Sequence, residues 1–202
     1  MSLIIIKDDV LAYGGDYMQG DCGEKLVAGY YKYACRCNFV DTNIKLKNGE
    51  LDVVGIDLAN SIVYVAEVAV HLSTGLRYTS KNKSVTTKRL VEKFEKDIVY
   101  IKNNFPESKY KYCFELWSPI VKDSKNKNNI NPSQCKEVDD VIEIIRKSHD
   151  IEIEPIINKR FQEKINELKV IMAKTESAIE GNDVLRYIQL EAKLSKYLSK
   201  NS

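Results

Sequence analysis

Apolar residues along this chain recur in two rhythms, and the switches between them mark its elements. Leu26, Val27, Tyr30, Tyr31 and Ala34 repeat at three- and four-residue steps behind Asp21, a good N-cap, which predicts a first helix from Asp21 to Ala34. Gly29 weakens that helix slightly. The period then changes to two. Phe39, Asp41 and Asn43 alternate with Val40, Thr42 and Ile44 in a strand from Phe39 to Leu46, and Lys47-Asn48-Gly49-Glu50 turns it back into a strand from Leu51 to Asp57. Ala59-Asn60-Ser61 is turn material before a third strand, Ile62 to Val70, so three consecutive antiparallel strands follow the helix. Leu72 to Lys83 is too polar and interrupted for a core element and reads as a mobile loop. Helical spacing resumes with Ser84 or Thr86 as cap and Leu90, Val91, Phe94, Ile98 and Ile101 on one stripe, and Pro106 stops it. Tyr110 to Leu116 alternates as a fourth strand, ending at Trp117-Ser118-Pro119.

Beyond this lies Lys122 to Gln134, poor in apolar residues and rich in Asn and Lys, which reads as an exposed loop suited to touching phosphates. A short helix from Val138 to Lys147 and a strand from Ile151 to Ile157 follow, and Pro155 confines that strand to a sheet edge. Two helices finish the pattern. Lys159 to Ile179 carries Phe161, Ile165, Leu168 and Met172 on one face, and Asp183 to Leu198 carries Tyr187, Leu190, Leu194 and Leu198. Glu180-Gly181-Asn182-Asp183 supplies a C-cap and an N-cap between them, making a helical hairpin. The expected organisation is an α/β core over 1–157 and a C-terminal helical hairpin over 158–202, whose apolar stripes suit a homodimer interface.

Composition narrows the function classes. At 202 residues, 44% hydrophobic and 30% charged, the chain can bury a proper core. A net charge of +2 means that a nucleic-acid partner needs a local basic patch, for which the lysine-rich stretch from Lys81 to Lys136 is the source; a solvated lysine surface accounts for the same stretch. Five cysteines, an odd count, point to reduced thiols and a cytoplasmic setting. Cys35-Arg36-Cys37 is too tight for the usual zinc spacing, and His71 and His149 do not complete a finger. Leu3-Ile4-Ile5-Ile6 is too short to span a bilayer and runs into Lys7-Asp8-Asp9, so no membrane partner is expected. The twelve tyrosines, Tyr13, Tyr17, Tyr30, Tyr31 and Tyr78 among them, serve either packing or base stacking.

Chemistry concentrates between Gly49 and His71. Asp52 and Glu67 fall on paired strands, and Glu67 sits in Ile62-Val63-Tyr64-Val65-Ala66-Glu67-Val68, where a carboxylate is costly unless something positive lies against it. A divalent cation is one remedy, and pairing with surface lysines is the other. Glu50, two residues before Asp52, shares its strand face. Glu24 lies in the first turn of the first helix, where a carboxylate stabilises the helix N-terminus by about 0.3–1 kcal/mol.

Gly49-Glu50-Leu51-Asp52 followed by Glu67-Val68-Ala69 resembles the core motif of the PD-(D/E)XK nuclease superfamily, in which an Asp on one strand is followed by Glu-X-Lys on the next. The element order helix, three strands, helix, strand is also the αβββαβ order of its restriction-endonuclease-like fold, over roughly Asp21 to Pro119. The resemblance implies a mixed central sheet flanked by helices and a Mg²⁺- or Mn²⁺-dependent DNA endonuclease of restriction or repair type. Asp52, Glu67 and the Val68 carbonyl would then hold the metal, with Glu24 in support. Where the family has its lysine this chain has Ala69. Three readings follow. His71 shares the strand face but lies about 6.6 Å beyond the lysine position. Lys88 or Lys93, at the margins of the second helix's stripe, either reaches inward from there or stands on the solvated face. In the third reading catalysis is lost, and the chain is a binding module for nucleic acid or a protein. A structural assembly protein working through the C-terminal hairpin is a further class, distinguished by oligomers without metal affinity.

Overall fold

A computed structural model describes residues 21–47, 49–123 and 131–200. Leu3 to Ile6, Tyr13 and Tyr17 lie outside the described residues, as does most of the Lys122 to Gln134 segment. The chain is α/β, with five helices and a mixed five-stranded sheet among the described residues. Helix α1 (Cys22–Tyr33) leads into strands β1 (Phe39–Leu46), β2 (Gly49–Asp57) and β3 (Ile62–Val68). Two-residue strands β4 (Thr79–Ser80) and β5 (Lys83–Ser84) form a separate hairpin before α2 (Thr86–Asn104). Then come β6 (Lys111–Ser118), α3 (Gln134–His149), β7 (Ile153–Ile157), α4 (Asn158–Lys174) and α5 (Asp183–Leu198).

The sheet runs in the order β1-β2-β3-β6-β7, antiparallel across β1, β2 and β3 and parallel from β3 through β6 to β7. Each parallel neighbour is reached through one helix, α2 then α3, and both helices pack on the same face, as two successive crossovers of one hand require. Leu90, Phe94, Ile98 and Ile101 of α2 and Val138, Val141 and Ile145 of α3 share a core there with Val54, Val65 and Phe114. Edge strand β7 carries Pro155 opposite Leu116, where a missing N–H leaves no interior ladder broken.

The opposite face is covered by α1, α4 and α5. Leu26, Val27, Tyr30 and Tyr31 join Trp117, Ile156, Leu168, Met172, Leu185 and Ile188 in one core, so the C-terminal hairpin shares its packing with the first helix and the sheet. Gly29 explains itself here. A Cβ at Gly29 would lie 2.5 Å from both methyl carbons of Leu185, which is fully buried. Gly29→Ala is therefore expected to lose about 1–2 kcal/mol in urea unfolding, because overpacking outweighs the better helix propensity.

Several expectations need correction. On α5 the buried side chains are Leu185, Ile188, Gln189 and Ala192, whereas the expected stripe of Tyr187, Leu190, Leu194 and Leu198 is exposed on the opposite side. Apolar spacing marked one of two apolar faces of α5, and the face it marked is the exposed one. Helix α4 ends at Lys174, before Ile179: the Thr175 hydroxyl donates to the Ile171 carbonyl at 3.0 Å, and buried Gln189 holds the carbonyls of Thr175 and Ser177 at 3.2 and 2.7 Å. Helix α3 starts earlier than Val138, at Gln134, capped by the Ser133 hydroxyl, which accepts from Lys136 N at 3.2 Å. Neither Ser84 nor Thr86 is the N-cap of α2; Val85 is. The stretch from Leu72 to Lys83, expected as a polar loop, contains fully buried Leu76 and all but the last residue of the β4–β5 hairpin.

Candidate active site

The site forms where two paired strands part. The β2–β3 ladder ends at the Val53–Ala66 pair, after which β3 runs on beside β6 alone, with Glu67 opposite Leu116 and Val68 opposite Trp117. One ladder position beyond that last pair, Asp52 and Glu67 face into the fork. The Asp52 carboxylate replaces the lost ladder bond by accepting from Val68 N at 2.8 Å. On its other side the β1–β2 pairing is interrupted as well: Thr42 pairs with Val53 and Ile44 with Leu51, while Asn43 between them has φ 56°. Both carboxylates are buried, Asp52 to 4% exposure and Glu67 to 1%.

Lys93, from the helix that follows β3, supplies the positive charge. Its Nζ lies 3.2 and 3.3 Å from the Asp52 oxygens and is also bonded to Glu67 Oε2. Burial alone would lower the Lys93 pKa, but the Glu67 and Asp52 carboxylates overcome it and hold the ammonium well above its ordinary value. Four residues further along α2, Asp97 is 1% exposed and meets Glu67. Burial drives both carboxyl groups up, Glu67 further because Asp52 and Asp97 lie beside it, and Asp97 to about 7. Glu67 Oε1 and Asp97 Oδ2 have no hydrogen-bond partner as carboxylate oxygens. One proton between the two groups satisfies both, and so does a cation.

Glu24 borders the fork. Its Oε2 accepts from Asp21 N at 2.9 Å, closing a capping box with Asp21, and from Asn43 Nδ2 at 2.7 Å, which ties the helix to β1 opposite Asp52. Burial raises its pKa, the hydrogen bonds from Asn43 and Asp21 oppose this, and the Asp21 and Asp52 charges add to the rise. Gly23 permits the approach, since a Cβ there would sit 2.4 Å from a Val70 methyl and 2.9 Å from a Val68 methyl. Glu50 instead pairs with Lys45 at the strand edge.

The remaining candidates separate. Lys88 has an exposed side chain and pairs with Glu92 at 3.8 Å. His71 packs edge to face on Tyr78, ring centroids 5.4 Å apart, and makes no hydrogen bond or ion pair to Asp52 or Glu67. Ala69 is buried in the core and donates its N–H to the Trp117 carbonyl at 2.9 Å. Sequence reasoning passed over Asp97, although the signal existed: an acid stands in the buried stripe of Leu90, Phe94 and Ile101, one turn beyond Lys93.

A second cluster lies on the other face, where Cys113, Glu115 and Glu154 bring ligand atoms within 4.8 Å of one another. Its members are already engaged. Glu115 Oε2 accepts from the Tyr31 hydroxyl at 2.7 Å and from Trp117 Nε1 at 2.6 Å, and Glu154 pairs with Arg160. Among the described residues no helix is long and apolar enough to cross a membrane. The chain matches no known protein-family model, and neither the curated proteins nor the solved structures contain a significant match to it.

Proposed function

We propose that the chain is a metal-dependent DNA endonuclease of restriction or repair type, hydrolysing phosphodiester bonds at the fork between β2 and β3 on a restriction-endonuclease-like core. The observation that carries this reading is Lys93. The motif's own lysine position is Ala69, yet an ammonium from the next helix reaches both motif carboxylates. With the separate β4–β5 hairpin set aside, the αβββαβ order of α1 through β6 supports the same reading.

The donor set fits a hard divalent cation such as Mg²⁺ or Mn²⁺: it is all oxygen, it includes two buried oxygens without partners, and once its carboxyl groups are ionised it carries more negative charge than Lys93 alone offsets. Asp52 and Glu67 would hold the ion, with Glu24 at the rim and Asp97 beneath. A bound ion of this kind acidifies a coordinated water and stabilises charge on phosphorus. The chain's own part is to exclude bulk water around Glu67 and to keep Lys93 protonated where it orients water and offsets phosphate charge.

Purified protein incubated with supercoiled and linear DNA in Mg²⁺ or Mn²⁺ is expected to cut, and Asp52→Asn and Glu67→Gln are each expected to lose at least about 100-fold in rate. The competing reading rests on the same lysine. As it stands, Lys93 pairs with both carboxylates without a metal, as in a scaffold that has kept its fold and serves only to bind nucleic acid or a protein. Uncut DNA bound equally by all three proteins would decide for that module. Cutting both strands of a duplex suits two sites in one particle, and the exposed α5 stripe is the face on which a second copy would sit; a monomeric mass by sedimentation removes the homodimer.

A further inference from the structure

We infer that the β4–β5 hairpin is a phosphate-gripping finger of this site and that its ligand is double-stranded DNA flanking the bond to be cut. The inference rests on the nuclease reading and adds to it the element that holds the substrate.

The hairpin starts one residue after Tyr78, whose ring packs against the core shared by α2 and the strands that carry Asp52 and Glu67. That ring is fixed between the His71 ring and the Arg89 guanidinium, which lies 4.5 Å from the ring centroid. The foot of the hairpin is tied to the start of α2, with Tyr78 N donating to Thr86 Oγ1 at 3.0 Å and Val85 N to the Tyr78 carbonyl at 2.8 Å. From that braced foot the tip projects exposed, carrying Lys81, Asn82 and Lys83.

The turn itself shows a preference overridden. Lys81 and Asn82 both have positive φ, 48° and 63°, the geometry of a type I′ turn. Such a turn favours Asn, Asp or Gly at its first central position, because a side chain with a long aliphatic stem gains nothing from the left-handed region and its Cβ is crowded there. A lysine at that place is a local choice against stability. It makes sense as a charge held out at a fixed point. Neither Lys81 nor Lys83 has an ion-pair partner among the described residues, and Arg89, over the Tyr78 ring at the hairpin's foot, is a further exposed cation. The chain's overall charge of +2 makes such local concentration necessary for binding a polyanion.

The tip carries no aromatic side chain, so it offers no stacking platform for unpaired bases. Flexible ammonium groups and one amide contact phosphates along a duplex backbone and carry no base preference.

The test uses the whole chain with Lys81→Asn, Lys83→Gln and the double variant, reading thermal melting and binding to a duplex across a salt series. Lys81→Asn is expected to melt no lower than the unaltered protein while binding less tightly. The double variant is expected to flatten the slope of log K against log salt by about two, which is about tenfold in affinity per lysine near 0.1 M salt. An unchanged slope and affinity in the double variant, with the unaltered protein still cutting DNA, overturns the finger and leaves the nuclease reading standing. Failure of the unaltered protein either to bind or to cut duplex overturns both. A single-stranded oligonucleotide that competes as well as duplex overturns the double-stranded assignment.

Discussion

Replacing Lys93 with methionine is expected to lower DNA cleavage by about 100-fold or more and to destabilise the protein by about 2–3 kcal/mol at neutral pH. The two effects have one origin. Lys93 is the only cation bonded to Asp52 and Glu67 among the described residues, and both carboxylates are buried with Asp97 adding a third acid. Removing one member of a buried pair leaves the partner's desolvation uncompensated, and the partly open lysine side chain places the expected loss just below the usual range of about 3–5 kcal/mol. Methionine keeps the stem that packs along α2, so the loss reports charge and not volume. Without Lys93 the remaining carboxyl groups are expected to take up protons at neutral pH, and urea unfolding would show the deficit shrinking as the solution is acidified. Lys88→Met separates this from a general effect of lysine removal. Its side chain stands in solvent beside Glu92, and cleavage and stability are expected to stay near those of the unaltered protein. Equal effects at Lys88 and Lys93 would remove Lys93 from the site.

What could be read from the sequence follows from which forces are local. Strand β1 has the same bounds in sequence and structure because period-two alternation and a polar turn act within ten residues. The edge position of β7 was legible from Pro155 alone, since one missing N–H decides it. The inward face of α5 was not legible: both of its faces are apolar, and the choice was made by Gly29 of α1 accepting Leu185 from 156 residues away in the chain. The β4–β5 hairpin was missed for a related reason, because its turn uses Lys-Asn where Asn-Gly would have announced it. At the candidate site, strand spacing put Asp52 and Glu67 together, but Lys88 and Lys93 were equivalent on a helical wheel. Lys93 reaches the carboxylates while Lys88 stands in solvent beside Glu92, and which margin of the stripe lies over the fork is decided by packing. Asp97 stayed hidden because a single acid in an apolar stripe carries no sign of the carboxylate it will meet.

Asp97→Asn is expected to make the protein more stable than it is naturally, by about 2–4 kcal/mol at pH 8 and by little near pH 4. The sign follows from linkage. Burial holds the Asp97 carboxyl at about 7 in the fold against an ordinary value of 3.8, so the folded state binds the proton more tightly than the unfolded chain does. Stability is therefore lost as pH rises from about 4 to about 7, and the loss is complete above that. Three pH units correspond to about 4 kcal/mol, an upper bound because Glu67 shares the proton. Asparagine is close to the same size and carries no charge, and its amide can donate to the Glu67 oxygen that now lacks a partner. Urea unfolding of both proteins at the two pH values measures the difference, and a variant less stable than the natural protein at pH 8 would show that no charge strain resides at Asp97. The same pair of proteins tests the metal without any cleavage assay. An ion held by Asp52 and Glu67 relieves the crowding of like charges only where Asp97 is ionised, so added Mg²⁺ is expected to stabilise the natural protein more than the variant and to narrow the gap at pH 8. A gap that Mg²⁺ leaves unchanged would place the ion elsewhere and leave Asp97 as an acid strained by its burial alone.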